Sequence, residues 1–91
     1  MTTQITSPTG LAPEHIDVVL DCSGLLCPLP VYRASLALGQ LSPGQVLEVI
    51  ATDPGALEDI PALARQTGNI LLGVERGQDR QTFWIEKGTR S

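Results

Sequence analysis

The chain has 91 residues, of which 42% are hydrophobic, and a formal net charge of −4. This length makes one domain with a thin, two-layer core, and the composition excludes a largely disordered chain. An acidic chain lacks the basic patch that binding to phosphate backbones needs, so direct nucleic-acid binding is not expected. No apolar stretch has the length of a membrane span, so no contact with a membrane is expected either.

Residues 1–15 are polar and are predicted to form a flexible N-terminal tail. The segment has neither the basic start nor the apolar stretch of a secretory signal, which predicts a cytoplasmic protein. Thiols stay reduced in that compartment. The two cysteines, Cys22 and Cys27, are therefore not expected to form a disulfide framework.

The first predicted strand and helix flank a short turn. Residues 16–22 alternate between apolar and polar side chains, which predicts a strand whose last residue, Cys22, points into the core. Residues 28–38 predict a helix that ends at Gly39 as a left-handed cap. The apolar stripe of this helix is predicted to contain Val31, Ala34 and Leu38 and to be widened by Tyr32 and Leu36.

A second strand and helix follow. Residues 46–52 are nearly all apolar, which predicts a central strand. Asp53 and Pro54 then have the pattern of a helix start, with Asp53 as the N-cap and Pro54 at the first helical position. This helix is predicted to run to about residue 66, and Pro61 is predicted to kink it or to split it in two.

The C-terminal part predicts a β-hairpin. Residues 70–75 and 82–87 are predicted strands, and residues 76–80 join them. The element order β-α-β-α-β-β predicts an α/β protein of the two-layer α+β sandwich type, with two helices on one face of a four-stranded mixed sheet. Its first two strands are expected to be parallel. The domain is predicted to span residues 16–88, followed by a frayed end at residues 89–91.

The tetrapeptide Cys27-Pro28-Leu29-Pro30 is the strongest signal for chemistry. Proline is tolerated in the first turn of a helix, which predicts Pro28 at the first helical position, Pro30 at the third and Cys27 at the N-cap. The helix dipole would there favour the thiolate, which is the reactive form of cysteine. Cys27 would also lie beyond the carboxyl end of a strand, where open α/β sheets place their sites. Cys27 is therefore the predicted nucleophilic or sulfur-carrying residue.

Other kinds of site are disfavoured. The single histidine, His15, is predicted to lie at the opposite end of the first strand from Cys27, so a catalytic Cys–His pair is not expected. His15, Cys22 and Cys27 lack the spacing and the fourth ligand of a metal site, and no cofactor or metal is predicted. Cys22 is interpreted as a buried core residue. Two alternatives stay open: a redox switch based on a reversible Cys22–Cys27 disulfide, and a regulatory protein-interaction module without sulfur chemistry.

The segment around Cys27 resembles the signature of the TusA (SirA-like) family of sulfur-carrier proteins, in which an acidic residue and a glycine precede a Cys-Pro-x-Pro motif that opens the first helix. The similar segment is Asp21-Cys22-Ser23-Gly24-Leu25-Leu26-Cys27-Pro28-Leu29-Pro30, with further matches at residues 44–49, 52–54, 59–61 and 66–69. The resemblance covers residues 16–88 and implies a β-α-β-α-β-β two-layer sandwich.

The resemblance implies that Cys27 accepts sulfane sulfur from a donor such as a cysteine desulfurase or rhodanese, holds it as a persulfide and delivers it to a downstream acceptor protein. Family members feed tRNA thiolation, molybdenum cofactor maturation or sulfur oxidation. Such a protein is a sulfurtransferase-type carrier rather than a stand-alone turnover enzyme, and a monomer is expected because it must dock on two partners. Two features depart from the family: Leu26 replaces a basic residue of tRNA-pathway members, and Cys22 is an additional thiol.

Overall fold

Two helices and four strands follow one another in the order that the sequence predicts, which confirms the predicted α+β fold class. The computed structural model describes residues 13–89, so residues 1–12 of the predicted tail and residues 90–91 of the predicted frayed end lie outside the described part. The elements are β1 Val18–Cys22, α1 Leu29–Gly39, β2 Val46–Ala51, α2 Ala56–Thr67, β3 Ile70–Arg76 and β4 Gln81–Glu86. Neither helix among the described residues has the length and apolar character needed to span a bilayer.

The four strands form one mixed sheet in the order β1-β2-β4-β3. β1 and β2 are parallel, as predicted, and β4 is antiparallel to both β2 and β3. Cys22 at the end of β1 pairs with Ala51 at the end of β2. Because parallel strands end at the same edge of a sheet, the two loops that follow β1 and β2 lie side by side.

Both helices pack on one face of the sheet and enclose an aliphatic core around Phe83. The side chains that β2 contributes to this core, Leu47, Val49 and Ala51, are fully buried. Cys22 is also fully buried in the core, which confirms its predicted inward orientation. On the opposite face, Trp84 is buried, and its indole N–H donates a hydrogen bond to Glu48 Oε1 at 2.8 Å.

Helix α1 differs from its predicted form at both ends and on one side. It begins at Leu29, with Pro28 as the N-cap, and its C-cap is Gln40 in a right-handed conformation, so the predicted left-handed cap at Gly39 is wrong. Tyr32 and Leu36 are 61% and 54% exposed rather than part of the core. The helical period explains this difference, because buried Ala34 and Leu38 define the inner face and turn these two side chains away from it.

Helix α2 begins later than predicted, at Ala56 with Gly55 as the N-cap, so Asp53 is not the N-cap and Pro54 is not a helical residue. The helix continues through Pro61, and the predicted split is wrong. A single proline removes one backbone donor, and packing of the buried Ile60 and Ala64 beside it holds the helix together. The helix ends at Thr67, close to the predicted end at about residue 66, and its C-cap is Gly68 in a left-handed conformation.

Gly88 and Gly39 provide a matched pair of glycine sites for a test of packing. Gly88 is buried, and a Cβ added there would clash with the carbonyl oxygen of Gly68, whereas a Cβ at Gly39 would meet open space. Gly88→Ala is expected to lower the free energy of unfolding by about 1–3 kcal/mol, because the backbone must shift to relieve the clash. Gly39→Ala is expected to raise it by up to about 1 kcal/mol, because alanine is the better helix former. Urea denaturation measures both effects, and a Gly88→Ala variant as stable as the unsubstituted protein would contradict this packing.

Candidate functional site

Cys27 lies exposed in the loop of residues 23–28, here called the cysteine loop, between β1 and α1. The backbone N–H of Leu29 donates to the Leu26 carbonyl at 2.9 Å and closes a tight turn around Cys27 and Pro28. Cys27 is therefore one residue outside the N-cap rather than at it, and Pro30 occupies the second helical position rather than the third. Both predicted positions were wrong by one residue, because Pro28 itself supplies the first capping carbonyl, which accepts from the Tyr32 N–H at 3.0 Å.

Two hydrogen bonds connect the cysteine loop to the loop that follows β2. The Gly24 N–H donates to Thr52 Oγ1 at 2.8 Å, and the Cys27 N–H donates to Asp53 Oδ2 at 2.9 Å. The two bonds between the loops follow from the parallel pairing of β1 and β2, which places both loops at one edge of the sheet. At the end of β1, the Ser23 N–H also donates to Asp21 Oδ1 at 2.9 Å. Cys27 is thus held in place by the backbone although its side chain is exposed.

The Cys27 thiol donates a hydrogen bond to a carboxylate oxygen, Asp59 Oδ2, at 3.1 Å. This contact raises the pKa of Cys27, chiefly through the hydrogen bond and further through partial desolvation and the negative charges of Asp59 and Asp53. The prediction that the helix dipole favours the thiolate is therefore wrong for the free protein. Asp59 lies in the first turn of α2, where the positive end of the helix dipole favours a carboxylate.

Sequence reasoning assigned no chemical role to Asp59 and gave Asp53 only the role of a helix cap. The available signal was topological. Asp53 lies in the loop after β2, which parallel pairing places beside the loop after β1, whereas Asp59 is brought to Cys27 by the packing of α2. The site therefore consists of Cys27 and two carboxylates from a distant part of the sequence.

Two open depressions lie on either side of α1. A groove of about 290 Å³ runs between the two helices, and its lining residues are Pro28, Val31, Asp59, Ala62, Leu63 and Gln66. A second depression, of about 360 Å³, lies on the other side of α1 and is lined by Leu20, Leu29, Tyr32, Arg33 and Leu36. Leu26, next to the thiol, is 69% exposed. Exposed apolar side chains thus lie near the site as well as the two carboxylates, as in surfaces that contact other proteins.

The remaining candidate residues are separate from this site. Cys22 is fully buried, and burial is the main cause that raises the pKa of its thiol. His15 lies before the start of β1, with Nε2 3.4 Å from Asp17 Oδ2, at the opposite end of that strand from the cysteine loop. Among residues 13–89, no three His, Cys, Asp or Glu side chains form a cluster suited to a metal ion.

The fold and the cysteine loop define a class of small α+β domains that carry an exposed Cys-Pro-x-Pro cysteine. A family model described as sulfurtransferase TusA matches residues 18–87. The chain is 51% identical over 71 residues to the sulfur carrier protein TusA of Allochromatium vinosum, which covers 78% of this chain and 93% of that protein. It is 46% identical over 72 residues to the protein YrkI of Bacillus subtilis, with coverages of 79% and 96%.

A solved structure shares the fold. The crystal structure of a SirA-like protein from Desulfitobacterium hafniense matches with a TM-score of 0.66 at 25% sequence identity, and the match covers 79% of this chain and 99% of that chain. The chain belongs to the TusA family. This membership confirms the family that the segment around Cys27 resembles.

Proposed function

We propose that this protein is a sulfur carrier that accepts sulfane sulfur as a persulfide on Cys27 and transfers it to a downstream acceptor protein. The observation that carries the proposal is the contrast between its two thiols. Cys27 is exposed in a loop that is held by a hydrogen bond to Asp53, and Cys22 is buried in the core. The relative from Allochromatium vinosum is named a sulfur carrier protein, and it covers most of the domain.

The proposed reaction is an exchange of one sulfur atom between thiols. During loading, the Cys27 sulfur attacks the outer sulfur of a persulfide on the donor protein and forms a new S–S bond. The donor's S–S bond breaks, its inner sulfur leaves with the electron pair as a thiolate, and the proton from Cys27 passes to solvent. During delivery, a thiolate of the acceptor attacks the outer sulfur on Cys27 in the same way. No net oxidation occurs in either step.

The proposed partners are a cysteine desulfurase or a rhodanese as the donor and a second protein as the acceptor. Exposed apolar side chains beside the thiol, Leu26, Leu29 and Tyr32, support contact with protein surfaces. The acceptor would belong to tRNA thiolation, molybdenum cofactor maturation or sulfur oxidation. We further propose a cytoplasmic monomer that meets the two partners in turn.

The alternative redox switch finds less support in the fold. A Cys22–Cys27 disulfide needs access to Cys22, which is fully buried in the core. It would also break the contact of the Cys27 thiol with Asp59.

The test is an intact-mass spectrum after incubation with a cysteine desulfurase and cysteine, and in parallel with a rhodanese and thiosulfate. The expected result is a gain of about 32 mass units, mapped to the Cys27 peptide and removed by dithiothreitol, as for a persulfide. No gain with either donor would contradict the proposal. A loss of two hydrogens that links Cys22 to Cys27, without added sulfur, would favour the redox switch.

A further inference from the structure

Two carboxylates flank the cysteine that becomes loaded. Asp59 of α2 accepts the hydrogen bond from the Cys27 thiol at 3.1 Å, and Asp53 of the preceding loop accepts from the Cys27 N–H at 2.9 Å. Gly55 lies between them: a Cβ added there would be 3.3 Å from Asp53 Oδ2 and 3.8 Å from both Asp59 Oδ2 and Cys27 Cβ. A side chain at this position would therefore contact Asp53, Asp59 and Cys27.

This arrangement stabilises the unloaded carrier. The thiol has a proton to donate to Asp59, and a hydrogen bond to an ionised acceptor is stronger than one between neutral groups. The contact lies at the exposed surface, so the stabilisation rests on the geometry of this hydrogen bond, which also is the main cause that raises the pKa of Cys27.

The same groups destabilise the loaded carrier. Once Cys27 carries a second sulfur, its Sγ has no proton and the hydrogen bond to Asp59 is lost. A persulfide is a stronger acid than the parent thiol, so the outer sulfur carries negative charge at neutral pH. An S–S bond is about 2 Å long, which keeps that charge within about 5 Å of Asp59 Oδ2. At this separation a like charge is repelled.

We propose that Asp59, assisted by Asp53, biases Cys27 toward its unloaded state and thereby favours release of sulfur to the acceptor. The inference rests on the proposed carrier function. In the delivery step, the S–S bond at Cys27 breaks, the Cys27 sulfur leaves with the electron pair and takes a proton, and the new thiol donates that proton to Asp59 in a hydrogen bond. The transferred sulfur forms its new bond to the sulfur of the attacking acceptor thiolate, so that one S–S bond forms as the other breaks.

The other charged groups near the site act on different atoms. Among the described residues, the charge of Arg33 in α1 lowers the pKa of the buried Cys22, although burial raises it more. The charge of Arg80 in the β3–β4 loop contributes to the lowered pKa of Asp21. The charges that act on the Cys27 thiol are those of Asp59 and Asp53. Both charges that act on the Cys27 thiol are therefore negative, and both raise its pKa.

The test uses Asp59→Asn, which keeps the shape of the side chain and removes its charge, with Glu58→Gln as the matched control. Glu58 is the exposed neighbour of Asp59 in the first turn of α2. Alkylation of Cys27 by iodoacetamide is followed by mass spectrometry as a function of pH. In Asp59→Asn the rate of alkylation at pH 7 is expected to rise on the order of tenfold, because more thiolate is present. The midpoint of the curve of alkylation rate against pH is expected to move to lower pH. Glu58→Gln is expected to stay within about twofold.

The second readout is the equilibrium between loaded and unloaded protein in a fixed mixture of glutathione persulfide and glutathione. Asp59→Asn is expected to raise the ratio of loaded to unloaded protein on the order of tenfold. Asp53→Asn, which retains an oxygen for the Cys27 N–H, is expected to raise it less. A merely structural role of Asp59 would lower loading or leave it unchanged.

The outcomes separate this inference from the proposed function. If the unsubstituted protein loads sulfur but Asp59→Asn shows the same ratio or a lower one, the bias is overturned and the carrier function stands. If the unsubstituted protein takes up no sulfur from any donor, both are overturned. Equal changes in Glu58→Gln would also contradict the inference, because they would indicate a general charge effect of α2.

Discussion

Replacement of Cys27 by serine is expected to abolish sulfur loading and to leave the fold intact. A hydroxyl is not ionised at neutral pH and cannot attack a persulfide as a thiolate does. The substitution changes one exposed atom, and the backbone N–H that binds Asp53 remains. Intact mass after incubation with a sulfur donor measures loading, and circular dichroism checks the fold.

Cys22→Ala is the control for this experiment. Its thiol lies in the core, so the variant is expected to take up one sulfur on Cys27 as the unsubstituted protein does. Sulfur uptake that survives in Cys27→Ser would contradict the assignment of the carrying residue. Uptake that disappears in a folded Cys22→Ala would instead favour a mechanism that needs both thiols.

A large loss of stability is expected from Leu47→Ala. Leu47 is fully buried in the central strand β2, where it pairs with Val18 and Ile85 on the neighbouring strands. Loss of this side chain leaves a cavity, which is expected to lower the free energy of unfolding by about 2–5 kcal/mol. A domain of this size has only about 5–15 kcal/mol in total, so part of the population would unfold at moderate temperature. Urea denaturation measures the difference.

Leu36→Ala removes the same atoms from a site that is 54% exposed. The expected change is within about 0.5 kcal/mol, because no cavity forms on the surface. Equal losses in the two variants would mean that Leu36 is buried in solution, and would contradict the exposed outer side of α1. A small loss in Leu47→Ala would contradict the core as described.

The fold could be predicted from patterns of local sequence. Apolar alternation identified β1, the apolar run identified β2, and the predicted end of α2 at about residue 66 lies within one residue of the observed end at Thr67. The helix starts were less predictable. Proline is compatible with several positions around a helix N-terminus, so the prolines of the motif did not distinguish Cys27 at the N-cap from Cys27 one residue before it.

The site was predictable only in part, because its chemistry depends on contacts between distant residues. Asp53 followed by Pro54 has the pattern of a helix start, yet its carboxylate binds the backbone of Cys27. Asp59 lies 32 residues from Cys27 in the sequence, and no spacing rule connects the two. Prediction of this contact needs the three-dimensional placement of α2 against the cysteine loop.

The contact between Cys27 and Asp59 also affects how fast the unloaded cysteine reacts with oxidants and electrophiles. An accessible cysteine is ordinarily the first group lost to peroxides and electrophiles, whose targets are thiolates. In the folded domain the sulfur stays within reach of a partner, and the hydrogen bond to Asp59 raises the pKa of Cys27, so that its thiolate fraction is lower than that of an ordinary cysteine. This lower fraction slows the reaction with oxidants and electrophiles. The effect depends on the placement of α2 in the folded domain and not on the Cys-Pro-x-Pro motif alone.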